Sequence, residues 1–332
     1  MPFSALSIQN TRTSSDTSLS EALFPLGRGL QSWTTLQNAS DALPISDATF
    51  RPTKRNKALT HDTVTSPEPN SRPAMLAIFP KGSHARSNAT NGGFSFYAPG
   101  PQNVDLTTAK EVTFGYSVMF EQGFQFNMGG KLPGFCECSL FFSCLFVVGA
   151  HGAQDGGDNE QVATACSGGH HDDGGWSVRL MWRTGGAGEM YTYLPTSFSA
   201  NSALSHVPPF STSNPTYGTS VGRGSFFFQP GDWTTVVQRM RLNDVGQENG
   251  ELELIVDGQS KINVSGLVLR SSEAGRIRGM QIQTFFGGSF HCRVSRVTKQ
   301  ALLCVGHTAA WESPQDQKAY FSDFSVSIIN NL

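Results

Sequence analysis

The sequence predicts an all-β protein, a jelly-roll sandwich of two antiparallel sheets with a concave face able to cradle a ligand. Three observations carry that prediction. From Gly92 onward the chain is a succession of short apolar alternations bounded by Gly, Pro, Asn and Asp, the pattern of strands with one buried face. Helical periodicity is sustained over no useful length. Glycine (35) and proline (17) make up 52 of 332 residues and charged residues only 15%, a composition suited to turn-rich β structure and poorly suited to long solvent-laced helices.

Residues 1–32 are polar and largely Ser/Thr-rich and are expected to form a mobile segment, with one β domain over 33–332. The stretch 46–78 carries Pro52, Pro67, Pro69 and Pro73 and suits an irregular or edge-strand entry, where a missing N–H is tolerated. Strands are then expected at 93–98, 111–120, 177–183, 188–194, 224–229, 232–243, 250–257, 278–286 and 319–329.

Charge and hydropathy exclude several classes of function. With 24 Lys+Arg against 26 Asp+Glu the net charge is -2, so the chain is not a nucleic-acid coating protein. The most apolar run, Cys138 to Val148, is about half the roughly 20 residues of a membrane span. The first residues lack the basic start and apolar core of a secretory signal. The six cysteines lack paired C-x2-C spacing, and no metal or other cofactor is expected; His170-His171-Asp172-Asp173 reads as a polar loop.

The stretch Ser177 to Leu194 carries the most information. Two alternating runs flank Thr184-Gly185-Gly186-Ala187-Gly188, a hairpin signature. If Arg183 and Glu189 close the loop, Arg179 faces Tyr193 and Met181 faces Tyr191. Ser177, Arg179, Arg183, Glu189, Tyr191 and Tyr193 then share one face, while Val178, Leu180, Trp182, Met190, Thr192 and Leu194 form the core face. Upstream, Gly129-Gly130-Lys131-Leu132-Pro133-Gly134 places a lysine where a strand is expected to run into a turn. It lacks the G-x4-G-K-[ST] form of a phosphate loop.

Gly-Lys-Leu-Pro-Gly, then Ser-x-Arg, then Tyr-x-Tyr twelve residues past the arginine, resembles the active-site pattern of polysaccharide lyase family 14, which includes alginate and glucuronan lyases. The resemblance to fungal members extends to Leu23–Gly27, Met280–Gly288 and Lys318–Phe324. It implies a β-jelly roll that cleaves 1,4-linked polyuronates by β-elimination, with Lys131, Ser177, Arg179, Tyr191 and Tyr193 as the catalytic set. An acidic polysaccharide is the partner, and the resemblance implies an extracellular monomer.

The chemistry needs these residue types. β-Elimination removes the C5 proton, α to the C6 carboxylate, and expels the glycosidic oxygen at C4. Arg179 or Lys131 can neutralise the carboxylate and stabilise the enolate-like transition state. Tyr191 or Tyr193 can serve as base and acid, provided nearby cations lower a phenol pKa of about 10. Ser177 can orient a neighbour. Gln281 and Gln283, alternating along one strand, and Arg239 and Arg241, flanking Met240, are further candidates for binding sugar hydroxyls and carboxylates.

Two readings compete with the lyase. One is a catalytically silent carbohydrate-binding jelly roll. The other is a hydrolase using Glu189 with Asp257 or Glu253 as a carboxylate pair. The segments 135–148 and 290–309, which hold most of the cysteines, depart from the family pattern and read as translated intron sequence or lineage-specific insertions.

Overall fold

Alternation of apolar and polar residues sorts the chain into two antiparallel sheets that bury their facing sides. The computed structural model describes residues 18–136, 174–287 and 309–332, apart from Lys54, Pro69 and 85–90. One sheet is eight-stranded. It runs β13 (Gln259–Leu267), β12 (Gly250–Val256), β11 (Trp233–Arg241), β5 (Ala109–Phe120), β15 (Gln317–Asn331), β3 (Pro73–Phe79) and β2 (Thr63–Thr65), with β1 (Gln31–Thr34) also paired to β15. The other is seven-stranded. It runs β4 (Phe94–Ala98), β14 (Gly279–Phe286), β6 (Gly129–Cys136), β7 (Ser177–Arg183), β8 (Gly188–Tyr193), β10 (Gly218–Val221) and β9 (Thr212–Asn214). This is the predicted jelly-roll sandwich.

Between the sheets lies a core dominated by aromatic rings. Phe120, Phe124, Trp182 and Phe286 meet mostly edge to face, and Val178, Leu180, Trp182 and Met190 supply the inward side of the β7–β8 hairpin. Each fully buried side chain of this size contributes about 1.5–3 kcal/mol from the area it removes from water. A separate small cluster, Met181, Tyr191 and Tyr193, lies on the opposite face of the same hairpin. The face assignment made from alternation therefore holds.

Several boundaries differ from the expectation. Ser18 caps a helix, α1 (Leu19–Leu23), through a capping box with Glu21, and Ala22, Leu23 and Phe24 are buried, so residues from 18 onward belong to the domain. Residues 1–17 lie outside the described residues. The proline-rich entry contains a second short helix, α2 (Asp47–Phe50), before β2 and β3. No strand forms at 224–229; Phe227 makes only an isolated bridge to Ala187, because Gly222 and Gly224 turn the chain with φ of 64° and 82°. Phe135 and Cys136 complete β6, whereas the rest of the segment to 148, and all of 290–309 except Ala309, lie outside the described residues.

Candidate active site

The lysine-bearing corner is a strand with an extra residue in it. In β6, Leu132 pairs with Leu180 and Gly134 with Arg179, which leaves Pro133 as a β-bulge. Proline suits that position because it has no N–H to offer the ladder. The bulge corrects the side-chain phase: Leu132 and Phe135, an odd number of residues apart, both face the core, while Lys131 faces outward. Groups freed from the ladder are satisfied from the opposite sheet. Tyr116 Oη donates to the Pro133 carbonyl at 3.1 Å, and the Phe135 N–H donates to Gln238 Oε1 at 3.2 Å. Gly130 has no alternative, since a Cβ there would lie 2.1 Å from the Trp182 ring. The turn expected at Lys131 is thus replaced by a bulged strand.

The β7–β8 hairpin closes two residues tighter than expected. The Arg183 N–H donates to the Ala187 carbonyl at 2.7 Å, and Gly185 and Gly186 adopt φ of 70° and 80° in the turn between them. Arg179 consequently faces Tyr191, Met181 faces Glu189, and Ser177 faces Tyr193. A shift of two leaves every side chain on its predicted face.

Cross-strand rows now organise the outer face of the seven-stranded sheet. One row is Lys131–Met181–Glu189, and the next is Gly134–Arg179–Tyr191–Ser220. Lys131 Nζ stands 3.1 Å from the centroid of the Tyr191 ring and 2.9 Å from Met181 Sδ. Tyr191 and Tyr193 pack edge to face with centroids 5.8 Å apart, and Tyr191 Oη donates to the Tyr217 carbonyl. On the other side of Arg179, its Nη1 lies 3.5 Å from Gln283 Oε1, which also accepts from Gln281 Nε2 at 2.6 Å. Gln283 Nε2 donates to Ser95 Oγ at 2.7 Å. The structure thus gathers Lys131, Ser177, Arg179, Tyr191, Tyr193, Gln281 and Gln283 on neighbouring strands of one sheet.

The charges on this face are unequally matched. Glu189, fully buried, binds Arg183 at 2.6 Å through one oxygen and Arg223 at 2.6 Å through the other, with Ser220 donating as well. Burial pushes the Glu189 carboxyl up, but Arg183 and Arg223 with the Ser220 hydroxyl overcome it and hold the group below its ordinary value. Lys131 and Arg179 have no carboxylate within ion-pairing distance among the described residues, although they are only 7% and 3% exposed. Burial first, then repulsion from Arg179 and Arg183, lowers the Lys131 amine well below the ordinary lysine value; Glu189 opposes this. Arg179 Nε is buried without a hydrogen-bond partner among the described residues. Burying a cation without a counter-ion is costly, so this arrangement is one that an arriving anion relieves.

Arg239 and Arg241 are not part of this site. They lie on β11 in the eight-stranded sheet, where Arg239 binds Glu111 at 2.5 Å and Glu251 at 2.8 Å, and Arg241 reaches Glu251 at 3.6 Å. Alternation showed that they share a face but not which sheet it belongs to. The carboxylate pair of the hydrolase reading is not assembled either: Glu253 lies on β12 of the eight-stranded sheet and Asp257 in the turn that follows it, whereas Glu189 lies on the seven-stranded sheet. His170 to Asp173 lie outside the described residues. Met181, Ser95, Ser220, Arg223 and the Tyr217 carbonyl were missed. For Met181 the signal was present, since its odd number sets it on the face of Arg179.

The profile of a family described as polysaccharide lyase 14 matches residues 67–144 and 149–324. Among solved structures, the chain is similar to a marine alginate lyase of that family from Aplysia kurodai, with 28% identity, a TM-score of 0.60, and coverage of 80% of this chain and 87% of that one. It is also similar in fold to an alginate lyase from Chlorella virus, at 21% identity and a TM-score of 0.57, with 84% of this chain and 93% of that one covered. No curated protein matches this chain in sequence.

Proposed function

This chain belongs to polysaccharide lyase family 14, and on that premise we propose that it cleaves a 1,4-linked polyuronate, alginate or glucuronan, by β-elimination. The observation that carries the reading is a pair of buried basic side chains, Lys131 and Arg179, unmatched by carboxylates among the described residues and packed beside Tyr191 and Tyr193. Arg179, always charged and held against Gln283, neutralises the C6 carboxylate and stabilises the enolate-like transition state. Its unpartnered Nε is a donor available to a carboxylate oxygen.

The base is better drawn from Lys131 than from a tyrosine. An amine whose proton affinity is lowered by burial and by two arginines parts with its own proton more readily than an ordinary lysine, which suits it to accept the C5 proton. It takes the C5 proton, electrons move toward C6, and the C4–O bond breaks with a proton returned to the leaving oxygen. Tyr191 and Tyr193, beside it, orient the ring and can donate that proton. Ser177, opposite Tyr193, orients the tyrosine, and Gln281 and Gln283 bind sugar hydroxyls.

Incubation of the purified protein with both polymers, following the conjugated C4–C5 double bond in the ultraviolet, tests the proposal, with Lys131→Ala, Tyr191→Phe and Tyr193→Phe as controls. One observation favours a second reading. The four central side chains, Lys131, Arg179, Tyr191 and Tyr193, are each less than a tenth exposed, as in a face closed to substrate. A carbohydrate-binding protein without activity would bind the polymers and give no new absorbance.

A further inference from the structure

Beyond the buried cations, the same face ends in an exposed aromatic rim. Phe226 and Phe228 are buried in the core, while Phe227 between them is 54% exposed and bridges Ala187, on the face that carries Arg183 and Glu189. Phe210 is 51% exposed, and the Arg223 guanidinium lies 5.2 Å from its ring centroid. The Arg223 N–H donates to the Phe210 carbonyl at 2.7 Å, so the two residues are fixed to each other through backbone as well as side chain. Gly224 brings Phe227 alongside: a Cβ there would stand 3.9 Å from Phe227 Cζ. Among the described residues, the exposed large apolar side chains include two aromatic ones: Phe210, beside the Arg223 guanidinium, and Phe227, beside the neighbouring Gly224.

We propose that Phe210, Arg223 and Phe227 form an outer subsite that holds a uronate residue of the bound polymer away from the bond being cleaved. The proposal rests on the polyuronate reading. Its chemistry suits such a chain, in which each ring carries both an apolar C–H face and a carboxylate. Aromatic faces pack against the former and a guanidinium binds the latter. Arg183 and Arg223 against Glu189 leave one positive charge in surplus at this end of the face. The subsite is continuous with the centre, because Glu189 terminates the row that begins at Lys131 and also binds Arg223. With strands spaced about 4.8 Å apart, the backbone of Glu189 lies roughly 10 Å from that of Lys131, and Arg223 lies beyond it at the end of the face.

The test uses the full chain and Phe210→Ala and Phe227→Ala variants in affinity gels containing alginate, glucuronan or neutral hydroxyethylcellulose. Kinetics on long polymer and on trisaccharides run in parallel. Both rings are exposed, and thermal melts check that each variant is folded. We expect the acidic polymers to retard the wild type more than the variants. We also expect the ratio of kcat/KM on polymer to kcat/KM on trisaccharide to fall about two- to twelvefold in each variant, the effect of losing one ring contact of about 0.5–1.5 kcal/mol. Variants migrating like the wild type in both acidic gels with that ratio unchanged, or a wild type that neither acidic polymer retards, would overturn the subsite. If the variants lose retardation but no protein forms unsaturated product, the subsite stands and the elimination reading fails. If unsaturated product forms and the variants match the wild type, the reading stands and the subsite fails.

Discussion

Replacing Lys131 with methionine is expected to stabilise the protein while abolishing elimination. Lys131 is 7% exposed, and its amine contacts the face of Tyr191 and the sulfur of Met181, with no carboxylate in reach among the described residues. Burial, followed by repulsion from Arg179 and Arg183, lowers its proton affinity in the folded state, so the unfolded chain holds the proton more tightly. Below the ordinary lysine pKa of about 10.4, protonation therefore favours unfolding. The penalty is complete below the folded value and fades as pH rises toward the unfolded one. Methionine keeps the length and removes the charge. Relief of one poorly satisfied buried polar group is worth about 1–3 kcal/mol. At roughly 2–4 °C per kcal/mol, Tm should rise by about 2–12 °C. Thermal melts near neutral and near alkaline pH read the effect, with the gain smaller at the alkaline end. A Tm that falls, or a gain independent of pH, would refute the reasoning.

Arg179→Gln should lower kcat/KM by about 10²–10³-fold, the loss of one preorganised charge-stabilising group. It should also move the acid limb of the pH–rate profile upward, because a charge that repels protonated Lys131 is gone; an unmoved limb separates Arg179 from the base. Glu189→Gln should cost about 3–5 kcal/mol by leaving Arg183 and Arg223 without a counter-ion, as measured by denaturant unfolding. Because that carboxyl is held below its ordinary value, the stability it supplies is present above the unfolded carboxylate pKa and is lost as pH falls through the folded one. Arg239→Met should leave kcat/KM at the wild-type value in polymer assays, since Arg239 is tied to Glu111 and Glu251 on the other sheet.

Alternation was enough to assign the two faces of the β7–β8 hairpin, because a period of two fixes which side chains share a face, but it did not reveal β3, β6, β10 or β13 and it gave a strand at 224–229 that does not form. It did not fix the register. That depended on whether the turn closed at Glu189 or at Ala187, and Gly185 and Gly186 allowed the tighter closure. The motif Gly-Lys-Leu-Pro-Gly drew attention to Lys131, which the structure sets beside Tyr191, but it concealed a strand, since proline within an apolar run reads as a turn unless a bulge accommodates it. Arg239 and Arg241 show the limit most clearly. Strand order is a property of long-range pairing, and nothing local in VVQRMRL distinguishes the sheet of β11 from that of β7. The Tyr217 carbonyl and Arg223 reach the site through β10 and its flanking turns, and carry no signal in their own segment.

The most direct measurement is ultraviolet absorbance during incubation of the wild-type chain and Lys131→Ala with alginate and with glucuronan. The account predicts growing absorbance from unsaturated uronate ends with the wild type on at least one polymer, and none with the variant. Shortening of the chains with no unsaturation, or equal absorbance from both proteins, would contradict it.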